Sequence, residues 1–160
     1  MRRVEALIRI ALSRVLERIV GYFNPIARGI LSSRFHGVMS RRLMLLTFTG
    51  RRTGRSYTTP VSYVRDGSAL LVPSAGRWKR NLGDRRPARV QLCGEWLEVT
   101  SEVVTELDAL TGILGRMLNL NPTIALFTGI WKGSDGRPDL SALDRARNRG
   151  FAVVRLQLKA

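Results

Sequence analysis

Six consecutive residues, Gly50-Arg51-Arg52-Thr53-Gly54-Arg55, set three guanidinium groups and a hydroxyl around two glycines. Arginine presents a planar fork of donors that matches phosphate and carboxylate, and threonine adds one more donor. Glycine admits the left-handed backbone angles through which successive amides can converge on an anion. The chemistry expected of Gly50, Arg51, Arg52, Thr53, Gly54 and Arg55 is therefore the binding of a phosphate or a carboxylate-rich ligand. The spacing is not that of a Walker loop, which leads from a strand into a helix. On residue types alone, a solvated glycine–arginine hairpin is the other reading.

The charge balance favours an acidic ligand. The 160 residues include 27 basic and 12 acidic side chains, net +15, and lysine occurs only at 79, 132 and 159. Residues 1–65 hold 13 arginines against Glu5 and Glu17, so most of the attraction for anions lies in that part of the chain. Nucleic acid is not the expected partner. The aromatic residues are not interleaved with bases as stacking platforms require, and no nucleic-acid module is present. Cys93 is the single cysteine and His36 the single histidine. That excludes an intramolecular disulfide, a cysteine-rich metal site and Ser-His-Asp catalysis away from His36, which reads as a helix-end residue. No metal is expected, and a reducing cytoplasm is the natural location.

The elements that must hold the arginine turn are strands. Leu43 to Thr49 is a short apolar, β-rich run ending at Gly50, and Tyr57 to Val64 resumes after the turn. Asp66-Gly67 predicts a hairpin, followed by strands at Ala69 to Val72, Arg89 to Cys93, Trp96 to Val104 and Phe151 to Leu158. Helices are predicted over Leu107 to Leu118, Pro122 to Trp131 and Leu140 to Arg149. About six mainly antiparallel strands with helices packed outside describe an α+β fold with a small β-barrel.

Ahead of the sheet, apolar residues recur at Leu7, Ile8, Ala11, Leu12, Val15, Leu16, Ile19, Val20 and Phe23, the stripe of an amphipathic helix. Arg9, Arg14, Glu17 and Arg18 interrupt it, so it is expected neither to span a bilayer nor to be a cleaved signal. Two roles stay open for residues 1–23: docking on the domain or on a second subunit, and lying on an anionic membrane at its cytoplasmic face. Asn24-Pro25 begins a second helix, and residues 1–36 are expected to form a helical segment ahead of a domain over 37–160.

The run LMLLTFTGRRTGRSYTTPVSYVRDGSALLVPSAG, followed by WKRNL at Trp78 to Leu82 and by Pro87-Ala88-Arg89-Val90, resembles the deazaflavin-dependent nitroreductase family. The resemblance is closest over residues 43–104. It implies a split β-barrel that binds the deazaflavin coenzyme F-420 and passes hydride from its reduced form to a quinone, a nitro compound or an activated alkene. It further implies that Arg51, Arg52 and Thr53 hold the coenzyme's phosphate and acidic tail. Thr59, Pro60, Ser62 and Tyr63 would line the ring pocket, Ser74 and Gly76 would approach the ring, and Asn81 would hydrogen-bond the coenzyme. The family usually has arginine where this chain has Tyr57 and often lysine where it has Ala75, and the segment from Gly76 to Trp78 is short. Arg55 and Arg77 lie close enough in sequence to replace those cations.

Hydride chemistry would belong to the coenzyme, leaving the protein to orient the ring, exclude water and stabilise developing charge. A quinone or nitro acceptor also takes a proton, for which Tyr63 and Ser74 are the candidate donors. A non-catalytic protein binding the coenzyme, a flavin or a lipid on the same fold is the competing reading, with flavin mononucleotide as the rival cofactor. The expected partner is a small-molecule electron acceptor, and the expected assembly a monomer or homodimer.

Overall fold

The computed structural model describes residues 42–159. The amphipathic helix expected within residues 1–23, the second helix and His36 lie outside them. Seven strands appear where six were expected: β1 (Leu43–Thr49), β2 (Ser56–Ser62), β3 (Val64–Asp66), β4 (Ala69–Ser74), β5 (Arg86–Leu92), β6 (Glu95–Val104) and β7 (Ala152–Leu158). The additional strand arises because the single run expected over Tyr57 to Val64 is broken at Tyr63, whose amide donates to the Arg42 carbonyl at 3.1 Å.

The strands form one antiparallel sheet in the order β2-β1-β5-β6-β7-β4-β3, curled into a split half-barrel. Side-chain alternation divides its apolar residues between two cores. Met44, Leu46, Phe48, Leu70, Val72, Val90, Val99, Val154 and Leu156 fill the barrel interior. From the same strands Leu71 and Val153 point the other way, into a layer of helices. That is why β7 is buried at Ala152, Val153 and Val154 in succession, rather than on alternate residues as a half-solvated strand would be.

Helix α1 (Leu107–Leu120) lays Leu110, Ile113, Leu114, Met117 and Leu118 on this outer face, the spacing of a single helical stripe. Helix α2 covers only Ile124–Thr128, shorter than the expected Pro122 to Trp131, because Gly129 adopts a left-handed φ of 70° and ends it. Helix α3 (Leu140–Asn148) starts at Asp139, whose side chain accepts the amide of Ala142 at 3.1 Å. A 3-10 helix at Arg77–Asn81 follows β4. Among the described residues no helix is long and apolar enough to cross a membrane, and no cluster of acidic, cysteine or histidine residues could hold a metal.

Glu98 and Glu102 lie on one exposed face of β6, as a solvated strand face predicts. They pair across the sheet with Arg89 at 2.9 Å and Arg155 at 3.4 Å. Trp131 packs against the helical layer, whereas Phe127 is exposed.

Candidate functional site

The turn between β1 and β2 is closed by its own backbone. Gly50 donates to the Arg55 carbonyl at 2.8 Å, and Gly54 donates to the Gly50 carbonyl at 3.0 Å. Gly54 has φ 64°, the left-handed conformation that glycine tolerates without cost. Gly50 is needed for space rather than for φ. A Cβ there would fall 2.7 Å from both Thr53 Oγ1 and Tyr57 Cε2, too close for either.

Four of the six amides of the turn are engaged within the protein. Those of Gly50 and Gly54 are spent inside the turn, that of Arg55 donates to Thr53 Oγ1 at 3.3 Å, and that of Arg51 donates to Asn81 Oδ1 at 2.9 Å. The amides of Arg52 and Thr53 have no hydrogen-bond partner among the described residues, so they stand available beside the side chains. Arg52 and Arg55 are exposed, and among the described residues neither has an acidic partner. The Thr53 hydroxyl shares a hydrogen bond of 3.0 Å with the Tyr57 hydroxyl, so Tyr57, standing where arginine was expected, orients the threonine instead of supplying charge.

The 3-10 helix lies against this turn. Asn81 accepts from Arg51 through Oδ1 and donates through Nδ2 to the Trp78 carbonyl at 3.0 Å, so one amide side chain joins two segments. Trp78 stacks on Phe48 with centroids 5.9 Å apart, and Phe48 stacks on Tyr57 at 6.0 Å. These three rings form an apolar wall beside the arginines. Close packing also explains Gly76, where a Cβ would fall 2.6 Å from the Trp78 indole.

Ser74 is 7% exposed at the end of β4, and its Oγ accepts the Gly76 amide at 3.0 Å, leaving the hydroxyl proton free to donate elsewhere. Lys79 donates to the Gly76 carbonyl at 2.9 Å. Partial burial, with a smaller contribution from Arg80, lowers its pKa. Sequence reasoning passed over Lys79, which carries no signal of its own beyond being one of three lysines.

Strand alternation divides the residues expected in the ring pocket. Thr59, paired with Leu46, lies on the face of β2 that carries Val61 into the barrel. Pro60 and Ser62 lie on the opposite face with Thr58, whose hydroxyl meets that of Thr47 at 2.8 Å. Tyr63 is farther away still. Leu43 pairs with Ser62, which puts Tyr63 at the opposite end of β1 from Gly50, about 23 Å along the strand at roughly 3.3 Å per residue. It is a core residue whose pKa is raised, first by burial and then by Cys93. The structure thus unites Gly50, Arg51, Arg52, Thr53, Gly54, Arg55 and Asn81 at the turn, with Gly76 beside Trp78, and does not bring Tyr63 to them.

Arg51 is also held through its side chain, with Nη2 3.0 Å from Asp84 Oδ2. Behind this pair lies an open cleft of about 470 Å³ lined by Leu82, Gly83, Asp84, Arg85, Glu102 and Val103. Its two carboxylates are each paired with an arginine, Asp84 with Arg51 and Glu102 with Arg155.

A family model described as F420H(2)-dependent quinone reductase matches residues 27–124. No curated protein matches the chain significantly. Among solved structures, the heme storage protein HutZ of Vibrio cholerae is 13% identical with a TM-score of 0.52, over 76% of this chain and 84% of that one. An F420-H2 dependent reductase, FDR-A, is 14% identical with a TM-score of 0.50, over 73% of this chain and 95% of that one. At such identities the two structures establish a shared fold.

Proposed function

The chain belongs to the F420H(2)-dependent quinone reductase family, and from that membership we propose an oxidoreductase that passes hydride from the reduced deazaflavin coenzyme F-420 to a quinone, with nitro compounds and activated alkenes as further acceptors. The observation that carries the placement of the site is the hydrogen bond from Arg51 to Asn81, which joins the arginine turn to the Trp78–Leu82 segment. The donor set fits the group. Arg52 and Arg55 lie exposed without acidic partners among the described residues, and an aromatic wall stands beside them.

When bound, the coenzyme supplies the hydride. Arg52 and Arg55 hold its phosphate and acidic tail through charge-assisted hydrogen bonds. Asn81 fixes the turn that carries them, and Tyr57 orients the Thr53 hydroxyl. Trp78 and Phe48 exclude water from one side, which strengthens every electrostatic contact made there. Thr59 and Gly76 bound the ring pocket, and Ser74 holds a proton at Oγ that can be donated to a reduced acceptor. Because quinones partition into lipid, the basic amphipathic stretch of residues 1–23 would serve this reaction by holding the protein at an anionic membrane surface.

Titration of the protein with oxidised coenzyme, followed by coenzyme fluorescence with flavin mononucleotide as competitor, tests this reading. Saturable binding that Arg52→Ala abolishes and Arg147→Ala leaves intact is the expected result. Arg147 is a fair control because it is engaged by Asp144 on α3, at 3.0 Å. Equal effects of the two substitutions would remove the turn from the site, and preference for flavin mononucleotide would overturn the cofactor. Co-sedimentation with anionic vesicles, lost on deleting residues 1–22, tests the membrane role.

A further inference from the structure

Three arginines in one short turn repel one another, and one of them is neutralised from outside it. Asp84 supplies the carboxylate, 3.0 Å from Arg51 Nη2, while Arg52 and Arg55 have no such partner among the described residues. The backbone that presents Asp84 is unusual. Gly83, Asp84 and Arg85 have φ of 100°, 51° and 55°, three left-handed residues in a row, of which aspartate is among the few side chains that tolerate the region and arginine is not. The turn is pinned from beneath by Ser101, 1% exposed, whose Oγ accepts the Gly83 amide at 3.2 Å and donates to the Arg86 carbonyl at 3.0 Å. Such strain persists only where surrounding structure enforces it, and here it sets an acidic side chain against a basic site.

Resting on the reading of the turn as the anion site, we propose that Asp84 is a specificity-determining residue, a tethered competitor that occupies Arg51 until a more highly charged anion displaces it. The Asp84 side chain is 85% exposed, so its ion pair is weak and easily exchanged. A ligand with two or more negative charges, such as inorganic phosphate or a phosphate joined to a carboxylate tail, competes well for a guanidinium against one exposed carboxylate, and a singly charged anion competes poorly. The carboxylate thus raises the charge a ligand needs to engage all three arginines, and it keeps the Arg51 fork in place beforehand.

The test is Asp84→Asn in the full chain. Asparagine keeps the shape and tolerates left-handed φ, so the turn survives while the charge is removed. Oxidised coenzyme, followed by its fluorescence at low salt, is expected to bind about 3–5-fold more tightly, the gain shrinking as salt is added. Inorganic phosphate is expected to compete at correspondingly lower concentration. Unchanged or weakened binding of both probes overturns the proposal. If Asp84→Asn folds poorly in a thermal melt, Asp84→Gly removes both charge and strain and must show the same tightening. Arg52→Ala separates the two ideas. Lost binding there with no effect at Asp84 defeats the competitor alone, whereas retained binding defeats the anion site and the competitor together.

Discussion

The backbone amide of Arg51 donates to Oδ1 of Asn81 at 2.9 Å across 30 residues of sequence. Through that bond the β1–β2 turn takes its position from the 3-10 helix, and Trp78, stacked on Phe48, fixes the helix in turn. The arginines of the site are positioned by a neighbour's side chain as well as by their own strand ends.

Asn81→Ala removes this acceptor together with the bond to the Trp78 carbonyl. Because the Arg51 amide is exposed and can turn to water, stability is expected to fall by only about 1 kcal/mol, some 2–4 °C in Tm. Coenzyme binding is expected to weaken by about tenfold, because the turn is no longer held in register. Thermal melts beside fluorescence titration check the pair of outcomes. Loss in proportion to stability alone would make Asn81 a structural residue.

Gly50→Ala and Gly54→Ala separate two uses of glycine. At Gly50 the new Cβ collides with Thr53 Oγ1 and Tyr57 Cε2, each at 2.7 Å, so the threonine hydroxyl is displaced and coenzyme affinity drops by about tenfold or more. At Gly54 the space is open and the cost is left-handed strain, about 1–2 kcal/mol in urea unfolding with a smaller change in affinity.

Ser101→Ala leaves the Gly83 amide and the Arg86 carbonyl without their shared hydroxyl in a buried setting. A loss of about 1–3 kcal/mol is expected from urea unfolding midpoints at constant m, larger than any surface ion pair here would show. A neutral outcome would mean that the Gly83–Arg85 turn holds itself.

Tyr63→Phe addresses both chemistry and pH. With its folded pKa raised above 10.0, chiefly by burial, the phenol stays protonated in the folded chain while the unfolded chain begins to ionise. Its contribution to stability is therefore complete below pH 10.0 and is lost as pH climbs from there through the folded pKa. The wild type should show that alkaline decline in stability, and Tyr63→Phe should flatten it. Turnover with a quinone acceptor at neutral pH is expected to change by less than about twofold, since the residue lies about 23 Å along β1 from Gly50. A large fall in kcat would return Tyr63 to the candidate proton donors.

The positions of β1, α1 and α3 were legible in the residue order, because an apolar run bounded by glycine and a stripe at helical spacing report the local burial of one element. So was the chemical character of Gly50 to Arg55, which follows from residue type alone. What Tyr57, Pro60, Ser62 and Tyr63 do was not legible. Their roles depend on which face of β2 is turned inward and on a break in pairing at Tyr63, and both are decided by register against β1. The partner of the Arg51 amide was hidden for the same reason, since it is Asn81, 30 residues away. The sequence alone determined that this protein carries an arginine-rich turn on an antiparallel sheet with helices outside, because local pattern and composition suffice for that. Only the tertiary structure decided which arginine is paired, Arg51 with Asp84, and which are not, because side chains distant in sequence meet only once the barrel has curled.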